Sequence, residues 1–123
     1  MESRITIQGI AQKGHNRGKK LGFPTINMPL SKQVEEGIYI SKITIDEKTY
    51  NALTFIGTAK TFDETIYQAE TYVFDFNQDV YGKSVTVELL KKIRENMKFD
   101  SEQALMQQME TDKRQAEEFF KKI

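Results

Sequence analysis

The sequence predicts a mainly β domain: an antiparallel barrel, closed or nearly closed, with one helix packed on it. Three observations lead there. Alternating apolar and β-branched runs recur at short spacing over roughly residues 4–90, the period of strands half buried on one face. Clusters of Gly, Asn and Asp separate them, and these are turn formers. From Asp100 onward the period changes to three and four, with neither Gly nor Pro through Ile123, as an amphipathic helix requires. Closure is expected because a flat sheet of five or six strands would leave two unpaired edges.

Taken in order, Arg4 to Ala11 alternates until Gly9 and Ile10 and reads as a strand entering a glycine-bearing loop. That loop, Gly14 to Thr25, holds three glycines, three bases and a proline, and cannot be a regular element. A short strand follows at Ile26 to Met28. Gly37 to Ile45 and Thr49 to Ile56 form a hairpin about Asp46-Glu47-Lys48, since both runs are rich in β-formers and the link is turn-like. Gln68 to Phe76 and Lys83 to Leu90 are two more strands, joined through Asn77 to Gly82. Ser101 is the candidate N-cap of a helix over about 101–121, with Ala104, Leu105, Met109, Ala116, Phe119 and Phe120 on its apolar stripe.

Bulk properties bound the function. With 123 residues the chain is one domain, 1–123, large enough for a real core. Eighteen bases balance eighteen acids, so no global field draws it to nucleic acid or anionic membrane. Cysteine is absent, which excludes disulfides, thiolate metal sites and a cysteine nucleophile. No apolar run approaches the length of a membrane span and no signal-peptide core follows Met1. A cytoplasmic protein is expected.

The Gly14 to Thr25 loop is chemically suited to phosphate, because glycine admits close backbone approach and Lys19 and Lys20 add charge. Its spacing matches neither the P-loop nor the dinucleotide fingerprint. On composition alone a solvated hairpin loop, its glycines serving turn geometry, is the better reading. The stretch Gly22-Phe23-Pro24-Thr25-Ile26-Asn27 adds more: it resembles the G-x-P-T-A-N signature of riboflavin kinases, with Ile26 at the alanine position. Gly37-Ile38-Tyr39, Ile56-Gly57-Thr58, Ala69-Glu70-Thr71, Asp79-Val80-Tyr81-Gly82-Lys83, Ile93-Arg94 and Lys98-Phe99-Asp100-Ser101 resemble further segments of that family, in order, across about residues 7–112.

The resemblance implies a six-stranded antiparallel closed barrel with a C-terminal helix, and an ATP-dependent transfer of phosphate to the ribityl 5′-hydroxyl of riboflavin, giving FMN and ADP. Such a transfer depends on alignment and charge neutralisation. By resemblance, Glu70 is the catalytic base, and its apolar neighbours would favour proton uptake. Gly14, Lys19, Thr25, Asn27, Val73, Asp75 and Tyr81 are implied for the nucleotide. Thr25 and Asn27, on one face of an extended segment, are implied for Mg²⁺ (or Zn²⁺ or Mn²⁺), as hard oxygen donors. Arg94, Met97 and Phe99 are implied for the flavin. Read without the family, each has an ordinary structural reading: a turn residue, a surface charge, a helix-docking aromatic.

Two stretches depart from the family pattern. Phe55-Ile56-Gly57-Thr58-Ala59-Lys60-Thr61-Phe62 stands where it reads asparagine, then I-G-T-R-P-T-F, and Glu117 stands where it often has arginine. Nothing in the sequence resembles the FMN adenylyltransferase half to which bacterial riboflavin kinases are usually fused, so an excised domain or a stand-alone kinase is expected. The competing readings are a catalytically weak flavin- or nucleotide-binding module on the same barrel and an oligonucleotide-binding barrel. Zero net charge weighs against the latter.

Overall fold

The structure, a computed structural model, describes residues 5–13, 25–60, 65–76 and 78–122. In chain order the elements are β1 (Ile5–Ile10), β2 (Gln12–Lys13), β3 (Thr25–Pro29), β4 (Gly37–Ile45), β5 (Lys48–Lys60), β6 (Thr65–Val73), β7 (Ser84–Arg94) and α1 (Glu102–Lys121). All strand pairs are antiparallel, in one sheet of order β1-β7-β4-β5-β6-β3-β2.

The mainly β class and the C-terminal helix are as expected; the closed barrel is not. Among the described residues no ladder joins the two edges of the curled sheet. β1 and β2 lie at opposite edges yet are separated only by Ala11, which carries the chain across the gap. The N–H of Ala11 donates to the carbonyl of Lys83 and its carbonyl accepts from Gly82, each at 2.9 Å. Gly82 has φ +90° there, a conformation that favours glycine. The gap stays open because β2 is two residues long, too short to run a ladder of its own beyond β3. Taken as one run broken at Ala11, β1 and β2 restore the expected count of six.

Several boundaries also differ from expectation. β5 continues to Lys60 where the strand was expected to end at Ile56, so Gly57 and Thr58 are strand as well. β6 starts at Thr65, which puts Glu70 in mid-strand instead of at a strand start. β7 continues to Arg94, with register shifts against β4 that mark two bulges. The sharp β4–β5 turn is as expected, with Asp46 and Glu47 both at positive φ, the geometry of a two-residue hairpin loop.

Alternation along the strands gives the sheet two apolar faces. Inside the curl lie Ile26, Met28, Ile43, Ala52, Ile56, Ala69, Val73 and Val87, all under 3% exposed. Three buried hydroxyls cross this interior: Ser41 Oγ and Thr54 Oγ1 are 2.8 Å apart, and Thr54 Oγ1 and Thr71 Oγ1 3.0 Å. They satisfy one another where water is excluded. On the outer face Ile38, Ile40, Leu53, Tyr72 and Phe74 pack against Met109 and Ala116 of α1. Ser101 caps that helix, its Oγ accepting from the N–H of Ala104 at 3.1 Å.

Candidate functional site

The outer face carries the groups that the family resemblance singled out. Register sets Asn27 of β3 opposite Glu70 of β6, and Thr25 opposite Tyr72. On the other side of β6, Phe55 of β5 stands opposite Glu70, and Leu53 opposite Tyr72. Residues directly opposed in antiparallel strands share a face, so Thr25, Asn27, Glu70, Tyr72, Leu53 and Phe55 form one contiguous patch.

Within it Glu70 is 3% exposed, a carboxylate out of water whose polar partner is on its own strand. The hydroxyl of Tyr72 donates to Glu70 Oε1 at 2.6 Å, within the short range of a charge-assisted bond. Asn27 is 4% exposed, and its Oδ1 accepts from no donor among the described residues. An unmatched buried carbonyl oxygen costs about 1–3 kcal/mol. Among the described residues, the site therefore holds an acceptor with no matching donor. Thr25, also buried, gives its backbone carbonyl to the hydroxyl of Tyr81 at 3.1 Å. The Tyr81 side chain, 43% exposed, leans from the Asp79–Gly82 turn toward this end of β3.

Next to the patch is a cavity of about 540 Å³ between sheet and helix, lined by Leu53, Phe55 and Tyr72 on one side and Leu105 and Met109 on the other, with Met97 and Phe99 from the connecting segment. That volume lies in the range of small-molecule sites, which are mostly apolar with a few directional polar groups. Its polar lining includes Arg94 with Asp112, besides Lys98, Ser101 and Glu102. Arg94 Nε donates to Asp112 Oδ1 at 2.9 Å and its NH2 group to Oδ2 at 2.7 Å, a bidentate pair. The guanidinium also lies 5.9 Å from the ring centroid of Phe99.

The expected flavin residues Arg94, Met97 and Phe99 are thus brought together in one cavity. Glu70, Thr25 and Asn27 are brought together beside it. Tyr81 adjoins Thr25. Val73 is not part of the group: its side chain is 1% exposed and points into the interior of the curl, because it is one residue out of phase with Tyr72. Asp75 sits exposed in the turn after β6 at φ 53°. Gly14 and Lys19 lie outside the described residues. Sequence reasoning missed Tyr72 and Asp112. Two-residue spacing from Glu70 could have found Tyr72, and the i, i+3 step from Met109 could have placed Asp112 on the buried helix face.

Among the described residues no three His, Cys, Asp or Glu side chains group together as a metal cage. No helix there is long and apolar enough to cross a membrane.

The family described as Flavokinase: Riboflavin kinase matches residues 1–120. The bifunctional riboflavin kinase/FMN adenylyltransferase of Bacillus subtilis is 36% identical over 95% of this chain and 39% of its own length. A solved structure of riboflavin kinase from Trypanosoma brucei shares the fold, with TM-score 0.67 and 24% identity over 97% of this chain and 81% of that one. A Streptococcus pneumoniae structure described as a macrolide-efflux protein superposes with TM-score 0.77 and 35% identity, over 89% of this chain and 37% of that one. The chain spans between about a fifth and two fifths of the curated relatives it matches first. With the family match running nearly end to end, the chain belongs to the riboflavin kinase family.

Proposed function

We propose that this chain transfers the γ-phosphoryl group of ATP to the ribityl 5′-hydroxyl of riboflavin, releasing FMN and ADP. The observation that carries this reading is the placement of one buried carboxylate, Glu70, between an apolar cavity and a pair of oxygen donors on the neighbouring strand. The cavity suits a flat tricyclic ring, stacked among Phe55, Phe99 and Met97, with Arg94 as the directional polar group. The polyol tail would then run over Tyr72 toward Glu70, which takes the proton of the attacking hydroxyl. Tyr72 holds that carboxylate in place. General-base help of this kind is worth about 10²–10⁴-fold.

Thr25 and Asn27 fit a hard divalent cation. Asn27 Oδ1 is the unmatched acceptor, and Mg²⁺ is commonly held by few protein oxygens together with substrate phosphates. We take Mg²⁺, or Zn²⁺ or Mn²⁺ in its place, as the ion; when bound it neutralises charge on the phosphates. The nucleotide would lie across Thr25 with Tyr81 and Asp75 at its outer end. By resemblance alone Gly14 and Lys19 are assigned to the phosphates, and Val73 would contribute backbone only. By likeness to the bifunctional relative, an FMN adenylyltransferase is the partner that would consume the product.

The test is incubation with riboflavin, ATP and Mg²⁺, reading FMN by chromatography. The wild type should produce FMN, and Glu70→Gln should lower kcat by about 10²–10⁴-fold while still quenching riboflavin fluorescence on binding. Riboflavin binding without FMN in the wild type would leave a flavin-binding module and overturn the kinase. Undiminished turnover by Glu70→Gln would remove the base assignment alone.

A further inference from the structure

Gly57 is strand, not turn, and its φ lies outside the region that favours glycine. Its missing side chain therefore answers to space. A Cβ built there would stand 2.8 Å from Cζ and 2.9 Å from Cε1 of Phe55, closer than carbon atoms approach without displacement, and 3.1 Å from Asn96 Nδ2. Phe55 and Gly57 are two apart on one strand and so share a face. The ring of Phe55 thus leans along β5 and rests on the bare backbone of a buried glycine.

Phe55 is also half buried, lines the cavity and stands opposite Glu70 in the ladder. Of all the cavity-lining residues of β5, it is the one in register with the carboxylate. Moving its ring off Gly57 sends it toward the space it already borders, which is the cavity, at the end where a substrate tail must pass to reach Glu70.

We infer that Gly57 is a positioning residue that acts through Phe55, keeping the cavity open at the end nearest Glu70 and so setting the fit of the flavin substrate. This rests on the riboflavin kinase reading, and it assigns a specificity role to a residue that would touch no ligand. Adding a methyl group to a filled site displaces the side chain packed on it. Gly57→Ala is accordingly expected to raise the riboflavin KM about tenfold, with the ATP KM unchanged.

A double-mutant cycle tests it, because coupled residues fail to add. Riboflavin and ATP KM would be measured for wild type, Gly57→Ala, Phe55→Ala and the double variant, with Asn96→Ala/Gly57→Ala as the control for the other near contact. In the Phe55→Ala background Gly57→Ala should have no further effect on the riboflavin KM, whereas removing Asn96 should leave the tenfold rise in place. An equal rise in both backgrounds, rescue by Asn96→Ala alone, or no rise in the single variant would overturn the inference while FMN formation kept the kinase intact. A wild type that neither binds nor phosphorylates riboflavin would overturn both. Should Gly57→Ala fail to fold, the Phe55→Ala double must fold; its failure as well would place the clash elsewhere.

Discussion

Asp112→Asn isolates the charge that ties the helix to the sheet. Asparagine keeps the volume of Asp112, so no cavity opens, but the bidentate pair with Arg94 is lost and the third bond, from Gln108 Nε2 to Oδ1 at 3.1 Å, is weakened. Removing one partner of a buried ion pair costs about 3–5 kcal/mol, since the other charge is left uncompensated. Here the side chains are 15% exposed for Arg94 and 3% for Asp112. The charge left behind is therefore the one nearer water, and its NH1 group keeps a 3.1 Å bond to the carbonyl of Glu95. That argues for the lower end, about 3 kcal/mol, or about a 10 °C fall in Tm for a domain of this size. Urea and thermal melts followed by far-UV circular dichroism measure it. The same pair forms part of the polar lining of the cavity, so the riboflavin KM should rise as well. Replacing both partners, Arg94→Met with Asp112→Leu, should recover most of the stability, because apolar substitutes often equal a buried pair, but not the riboflavin KM. A loss under 1 kcal/mol from Asp112→Asn, with KM unchanged, would show that apolar contacts alone hold α1 and would refute the reasoning.

Two further outcomes are expected. Tyr72→Phe removes the hydroxyl 2.6 Å from Glu70 Oε1 and keeps the ring in the cavity wall; a hydrogen bond to a charged group is worth about 1.5–3 kcal/mol, so kcat should fall about tenfold with little change in riboflavin KM, and an equal loss in kcat and affinity would count against an orienting role. The phenol of Tyr39 is pushed above the ordinary tyrosine range, first by burial and then by the nearby Glu35, Tyr67 and Glu95 charges, against a downward pull from Lys92. A raised folded-state value means that its contribution to stability is complete below about pH 10, the unfolded value, and fades as pH rises through the folded one; urea midpoints should therefore decline above pH 10, and decline less in Tyr39→Phe, whereas ordinary tyrosinate absorbance from Tyr39 in the folded protein would contradict it.

Strand composition made most of the sheet legible, because runs rich in Ile, Val and Thr between turn-forming residues favour strands whichever face they bury. Closure was misjudged because it was inferred from the cost of unpaired sheet edges, and the two-residue strand β2 after Ala11 was not read at all. Nothing in Ile10-Ala11-Gln12 announces that the chain leaves one edge of the sheet for the other at Ala11, which depends on the distant Gly82–Lys83 turn. Glu70, Thr25 and Asn27 were legible only by resemblance: an isolated carboxylate in a strand has the same local pattern whether it faces water or a cavity. Arg94 was seen as a flavin contact but not as half of an ion pair. Asp112 interrupts an apolar helix stripe, and a polar residue there is readable as buried only once its partner is known. Val73 was assigned to the nucleotide by resemblance alone, and the one-residue phase difference from Tyr72 puts the two side chains on opposite sides of the sheet.

The position of Glu70 within β6 bears on how the site could work. Ala69 and Thr71, on either side of it, are fully buried in the interior, and β6 is paired along both edges, to β3 and to β5. Its backbone cannot shift without opening two ladders and the hydroxyl chain that runs through Thr71. On the proposed reading, a base held this stiffly would need no reorganisation at the moment of transfer, and the substrate would have to be brought to it. The surfaces that could do so are the side-chain walls of the cavity: Phe55 resting on Gly57, and Phe99 beside the Arg94–Asp112 pair. Substitutions in those walls should therefore act mainly on flavin affinity, and substitutions at Glu70 or Tyr72 mainly on turnover. A variant of Phe99 that lowered kcat tenfold at saturating riboflavin would contradict that division.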